Sequence, residues 1–240
     1  MDERPTLDSF PTGSSAIVIG GTGGIGAAVV EYLSQSGQFQ AVLSLGRSTS
    51  PALDLGDEAS IATAAEHAKG NLSDIRLIFD ATGFLHGDGI EPEKTWRNLS
   101  MEQMQQLFAI NAAGPALVMK HFFPLLPREG KAVFATISAK VGSIGDNQIG
   151  GWYSYRASKA ALNQFVRCAS IELRRKSPEA LCVALHPGTV DTGLSKKFQK
   201  GVPKLLTPAQ SASALLSVLD GLGPEQSGEF FSYSGEQLPW

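Results

Sequence analysis

Two cysteines, Cys168 and Cys182, are all that the 240 residues contain, too few for a disulfide framework or a four-thiolate metal site. Neither sign of charge dominates: 20 Lys and Arg against 23 Asp and Glu leave a net charge of −3. No global field therefore draws the chain onto nucleic acid or an anionic membrane. Charged residues make up only 18% of the chain, which is low for a solvating or disordered sequence. No apolar run approaches the ~20 residues of a membrane span. The opening stretch MDERPTLDSFPTGSS has no apolar signal core. The four histidines, His67, His86, His121 and His186, show no ligand spacing, so no metal site is expected. A soluble cytoplasmic protein, binding neither nucleic acid nor membrane, is the expectation. The hydrophobic fraction of 42% supplies ample core for one large domain.

Short β-rich runs alternate with longer helical patterns, as in a doubly wound α/β domain whose parallel sheet is covered on both faces. Strands are expected over residues 15–19 (SAIVI), 41–45, 76–80 (RLIFD), 131–138, 181–186 and 228–233, because these runs are apolar and too short for helices. Residues 52–55 read as a further short strand, third in the chain. Helices are expected over 25–36, 59–69, 155–175 and 208–219, and over 100–121 with a kink at Gly114-Pro115. Residues 82–99, broken by glycine and proline, read as a loop. With no repeat and no linker, residues 14–240 are expected to form one domain behind a loose leader over residues 1–13.

Residues 20–26 read GGTGGIG, directly after the first strand and before the first helix. Glycines let the backbone turn tightly and approach a pyrophosphate, and the following helix N-terminus offers unpaired N–H groups. That position in an α/β chain makes the loop a dinucleotide cradle, with Gly20, Thr22, Gly23, Gly24, Ile25 and Gly26 as its contacts. The spacing is Gly-x-x-x-Gly-x-Gly over Gly20, Gly24 and Gly26.

Tyr155 and Lys159 lie four residues apart in YSYRASKAAL and so share one helical face. Taken alone, such a pair fits an ordinary amphipathic helix. A phenol titrates near 10, and lowering it by ~3 units takes ~4 kcal/mol of preferential phenolate stabilisation. A nearby ammonium in a partly dried cleft acts in that direction and would give an acid/base poised near neutral pH. The rival Tyr153 has Ala157 four residues on and is unpaired.

With GGTGGIG and YRASK in one chain, the sequence resembles the short-chain dehydrogenase/reductase family from about Ser15 to Tyr233. The segment GSIGDNQIGGWYSYRASKAALN is similar to the C-factor-like and small carbonyl reductase subgroup. The resemblance implies a Rossmann-like sheet of order 3-2-1-4-5-6-7, with cofactor at the carboxyl ends of its strands. It implies that Lys159 also binds the nicotinamide ribose and that Asn111 organises a proton-relay water. Pro187, Gly188, Val190 and Thr192, in HPGTVDT, match the element that holds the nicotinamide carboxamide, and Asp54-Leu55 the acidic pair at the adenine. The segment 189–207 would be a substrate lid, its Lys196, Lys197, Lys200 and Lys204 either attracting an anionic substrate or lying in solvent. The long helices would build a homodimer or homotetramer.

Two departures from the family pattern stand out. Asp80-Ala81-Thr82-Gly83 replaces the usual NNAG, with Ala81, Thr82 and Gly83 kept beside the cofactor. Ile137-Ser138-Ala139 replaces Ile-Ser-Ser, so Ala139 stands at the place of the catalytic serine. Ser138, or else Ser143 in the following loop, is then the candidate hydroxyl. At the end of the second strand, Leu45-Gly46-Arg47-Ser48 offers a guanidinium and a hydroxyl but no carboxylate. Arg47 and Ser48 would pair with a 2′-phosphate, so NADP(H) is expected over NAD(H). The functional expectation is an NADP(H)-dependent oxidoreductase interconverting a small carbonyl and a secondary alcohol, with Tyr155, Lys159, Ser138 and Asn111 as its catalytic set. The alternative is an NADP(H)-binding signalling or sensor protein with little turnover, motivated by Ala139 and the C-factor likeness.

Overall fold

A computed structural model describes residues 5–87 and 89–240. Residues 1–4, the start of the expected leader, and Asp88, in the expected loop, lie outside the described residues. The strands β1 (Ser14–Ile19), β2 (Phe39–Leu45), β3 (Ile75–Asp80), β4 (Ala132–Ile137), β5 (Ala180–His186) and a late strand over Phe230–Ser232 form one sheet. All neighbours pair in parallel, and β2 and the late strand are the edges, in the order β2-β1-β3-β4-β5 and then the late strand.

Both faces of the sheet are buried, which is why its strands read as continuous apolar runs rather than alternating ones. In β1, Ala16 and Val18 face one core, shared with Val29 and Leu33 of α1 (Gly24–Gln35) and with Leu215 and Leu219 of a late helix over Pro208–Gly221. Ile17 and Ile19 face the other, shared with Ile61 of α2 (Glu58–Asn71), and Leu162 and Val166 of a long helix over Tyr153–Lys176. The chain leaves β1 through α1 toward β2 on one side, whereas β3 pairs with β1 on the other. That reversal opens a crevice at the carboxyl ends of β1 and β3, the usual ligand position in such sheets.

The expected strand order holds for the six strands that form. The strand expected over residues 52–55 does not form. Leu53 N–H donates back to Gly46 O at 2.9 Å, and Asp54 Oδ1 accepts from Gly56 N–H at 2.8 Å, so this segment closes its own turns instead of extending the sheet. The expected kink at Gly114-Pro115 is also displaced. Between α3 (Met101–Phe108) and α4 (Gly114–Phe122) lies one π-helical turn, Ala109–Ala113, in which Gly114 N–H donates to Ala109 O. Pro115 has no N–H for the Asn111 carbonyl, and the helix accommodates that missing bond by widening one turn upstream.

Residues 5–13 are packed rather than loose. Leu7 and Phe10 are buried, the Phe10 ring lies 5.5 Å from that of Phe39, and Gly13 N–H donates to Gln38 O at 2.8 Å. Among the described residues no helix is long and apolar enough to cross a membrane.

Candidate active site

The glycine loop closes the crevice beneath β1. Gly20 has φ +76°, and a Cβ on Gly26 would stand 2.2 Å from the Gly20 carbonyl oxygen, so strand, turn and helix meet more tightly than any side chain permits. The N-terminus of α1 has no side-chain cap and no carboxylate in its first turn. Its open N–H groups and the helix dipole suit an anion of pyrophosphate chemistry. Gly23, Gly24, Ile25 and Gly26 line a cleft of about 480 Å³. Gly20 and Thr22 are not part of its wall: Gly20 forms the turn behind and accepts Gly23 N–H at 3.0 Å, and Thr22 sits exposed at the tip.

Tyr155 and Lys159 enter the same cleft from the first turns of α5, as the Tyr153–Lys176 helix is numbered. Tyr155 packs with Leu85, Ile90 and Leu107, and its ring meets that of Trp152 edge-on at 6.2 Å. Burial pushes the phenol above its ordinary range. Lys159 is buried to 1% exposure and donates to Ile137 O at 2.8 Å; burial lowers its ammonium to about 8, with the charge of Asp80 opposing. Desolvation, not the expected pull of the ammonium on the phenol, therefore governs both groups.

The first turn of α5 is held from outside. Trp152 precedes the helix at φ +53°, and the helix has no cap of its own. The buried Glu93, from the loop after β3, accepts Ser154 N–H at 3.2 Å and the Ser154 hydroxyl, and its carbonyl accepts Trp152 N–H at 2.6 Å. Nothing in the sequence marked Glu93. Asp80 is legible in the sequence as the carboxylate ending an apolar strand and as the first residue of the run that replaces NNAG. It is fully buried, accepting the Thr82 hydroxyl at 2.6 Å and the Thr136 hydroxyl at 2.7 Å, and so braces the Ala81-Thr82-Gly83 wall of the cleft.

Asn111 lies behind this wall, in the π turn. Its Oδ1 accepts Phe84 N–H at 2.8 Å and its Nδ2 donates to Phe84 O at 2.8 Å, so the side chain clamps the loop after β3 rather than entering the cleft. Ser138 reaches the cleft wall, but its Oγ donates to Asn163 Oδ1 at 2.6 Å, inside the protein. Ser143 is buried outside the cleft wall, its Oγ accepting Asp146 N–H at 3.2 Å. Neither serine hydroxyl thus stands where Ala139, packed with the Tyr155 cluster, leaves a gap.

Pro187, Gly188, Val190 and Thr192 line the cleft opposite the glycine loop, and a Cβ on Gly24 would approach Thr192 Cγ2 to 2.7 Å. The short ladder of β6 (Thr189–Val190) with β7 (Leu205–Leu206) brackets the segment between them. Phe198 in that segment packs on Trp152 at 4.8 Å and on His86 at 5.5 Å, and Lys197 pairs with Glu91. Arg47 and Ser48 are exposed on the turn after β2, outside the cleft wall, as is Asp54; Leu55 packs inward against Gly114. The cleft also holds His186 and Leu194, and Lys140 and Val141, the last two of which the sequence did not mark.

The short chain dehydrogenase family profile matches residues 14–203. The C-signal protein of Myxococcus xanthus is 42% identical over 139 residues, 57% of this chain and 78% of that protein. A 1-hydroxy-2-glutathionyl-2-methyl-3-butene dehydrogenase of a Rhodococcus species (strain AD45) is 30% identical over 236 residues, 95% of this chain and all 100% of that protein. Among solved structures, NADPH-bound carbonyl reductase from chicken fatty liver superposes with a TM-score of 0.81 at 27% identity, covering 99% of this chain and 98% of that one.

Proposed function

Because the chain belongs to the short-chain dehydrogenase family and is an NAD(P)-dependent enzyme of it, we propose that it interconverts a small carbonyl and a secondary alcohol with NADP(H), using Tyr155 as the acid/base. The observation that carries this reading is the convergence of Tyr155, Lys159 and the glycine loop on one cleft. The uncapped α1 N-terminus and its glycine cradle fit the pyrophosphate, Thr192 and the Pro187-Gly188 turn the carboxamide, and Lys159 the ribose. When bound, the reduced nicotinamide supplies a hydride.

In the reducing direction Tyr155 would orient the substrate carbonyl, on whose oxygen negative charge develops. The oxygen takes its proton from Tyr155, which regains one from solvent through a relay water that Asn111 organises. A cationic Lys159 stabilises the transient phenolate. Leu85, Val141, Trp152 and Phe198 exclude water and favour an apolar substrate body, while Lys197, paired with Glu91, offers no free charge to an anionic one. The 189–207 segment acts as a lid.

NADP(H) over NAD(H) rests on Arg47 and Ser48 at the end of β2, with no carboxylate beside them, and on the NADPH carried by the chicken enzyme. Exposed Phe108, Phe165 and Ile171 on α3 and α5 support a homodimer or homotetramer built on those helices. The second reading, an NADP(H)-binding signalling protein without turnover, is favoured by Ala139 and by the likeness to C-signal.

The test follows nicotinamide absorbance with NADPH and a panel of benzaldehyde, acetophenone and a naphthoquinone. Turnover that Tyr155→Phe lowers on the order of 1,000-fold supports the enzyme. NADPH binding with no turnover of any panel member supports the signalling protein instead. Arg47→Ala should weaken NADPH binding about tenfold or more and leave NADH unchanged; equal loss for both removes the 2′-phosphate clamp.

A further inference from the structure

The missing hydroxyl at Ala139 raises a physical question: what else in the cleft donates to a substrate oxygen beside Tyr155. The structure offers the ring at the end of β5. His186 lines the cleft, and its Nδ1 lies 3.3 Å from the backbone nitrogen of Lys140, the residue bonded to Ala139. The imidazole is therefore set alongside the peptide of the residue that lacks the hydroxyl.

A backbone N–H can only donate, so Nδ1 must accept, and a neutral ring then carries its proton on Nε2. Burial together with the charge of Lys140 keeps the ring neutral down to about 4, against the opposing pull of Asp146. Nε2 has no protein partner among the described residues. The cleft thus contains one imidazole whose tautomer is fixed by the main chain and whose N–H is free.

From this arrangement we infer that His186, through Nε2–H, is a catalytic residue that hydrogen-bonds the substrate carbonyl oxygen in place of the hydroxyl absent at Ala139. The inference rests on the oxidoreductase reading above. His186 transfers no proton in this role. It polarises the carbonyl and stabilises charge on its oxygen, while Tyr155 delivers the proton. The position also explains why the sequence conceals it: a histidine preceding Pro187-Gly188 reads as part of a cofactor turn, and its partner is 46 residues upstream.

The test uses the full chain with whichever panel carbonyl the unmodified protein reduces fastest. His186→Phe removes the donor and should lower kcat on the order of 100-fold, with NADPH affinity, read by its fluorescence, within about twofold. His186→Gln, which keeps an amide donor, should retain most of the rate. Ala139→Ser introduced into His186→Phe should recover about tenfold or more. Nitrogen-15 spectra of the cofactor-free protein should show the Nε2-protonated tautomer.

A His186→Phe protein that keeps its kcat, or loses it only in step with NADPH affinity, overturns the assignment, as does an Nδ1-protonated ring or a double variant that Ala139→Ser leaves inert. Those results leave the oxidoreductase reading intact. An unmodified protein that reduces no panel carbonyl ends that reading and this assignment together.

Discussion

Ser138 Oγ donates to Asn163 Oδ1 at 2.6 Å, so the serine nearest the expected catalytic position is turned into the protein and engaged with α5. The bond is buried, and removing one partner leaves the other without its hydrogen bond at a cost of about 1–3 kcal/mol. Ser138→Ala is therefore expected to lower the unfolding free energy by that order, measured by denaturant titration, while kcat changes by less than about threefold. A kcat loss on the order of 100-fold with unchanged stability would return the substrate-orienting role to Ser138.

Lys159 is expected to set the pH dependence of the proposed reaction. Its ammonium titrates at about 8 in the folded protein, lowered by burial and opposed by Asp80, so the residue is a cation below that pH and neutral above it. The proposed carbonyl reduction uses the cation. With saturating NADPH, kcat/KM should fall as pH rises through about 8, by about tenfold per unit. A profile that stays level to about pH 10 contradicts that role.

The same burial costs stability. The unfolded lysine titrates at 10.5 and the folded one at about 8. Between those values the unfolded chain binds more protons, so this residue makes stability rise with pH, and its full cost of about 3 kcal/mol applies below pH 8. The hydrogen bond to Ile137 O returns about 1 kcal/mol. Lys159→Met should abolish turnover yet stabilise the fold by about 2 kcal/mol at neutral pH, a gain that shrinks toward pH 10. Thermal unfolding across that pH range measures it; a lowered Tm at every pH would show that the ammonium's contacts outweigh its desolvation.

Much of this arrangement was readable in the amino acids because it depends on local pattern. The six strands are apolar runs flanked by turns, and GGTGGIG and YRASK place their own residues through strand–turn–helix geometry and helical spacing. What stayed hidden depends on partners distant in sequence. Residues 52–55 have strand composition, but the Leu53 bond to Gly46 commits them to a turn. The π turn at Ala109–Ala113 lies upstream of the Gly114-Pro115 signal that causes it. The orientation of Ser138 is decided by Asn163, and the tautomer of His186 by Lys140. Neither relation leaves a trace in spacing or periodicity.

Phe198 anchors the segment proposed as a lid. Its ring packs against Trp152 at 4.8 Å and His86 at 5.5 Å, and His86 Nε2 lies 3.1 Å from Leu194 O. Two aromatic contacts together are worth about 1–3 kcal/mol. Phe198→Ala should raise KM about tenfold and quicken proteolysis between β6 and β7, with a smaller effect on kcat. Lys197→Ala, which breaks only the exposed pair with Glu91, should change KM by less than about threefold. Equal effects from both variants would mean that charge rather than ring packing holds the lid.

Glu93 holds the first turn of α5, which carries Tyr155, from outside that helix. Since Trp152 enters α5 at φ +53° and the helix lacks a side-chain cap, the Glu93 carboxylate is what satisfies Ser154 N–H in the turn that carries Tyr155. An N-terminal cap of this kind contributes about 0.5–2 kcal/mol, and a negative charge there also meets the helix dipole favourably. Glu93→Ala should cost stability of that order and, because the first turn loosens, lower kcat about tenfold with KM little changed. Glu93→Gln keeps an oxygen acceptor and should restore most of the rate while losing the dipole interaction. If Gln performs no better than Ala in kcat, the charge itself acts on Tyr155, and the pH profile of the Gln variant will be displaced relative to the unmodified enzyme.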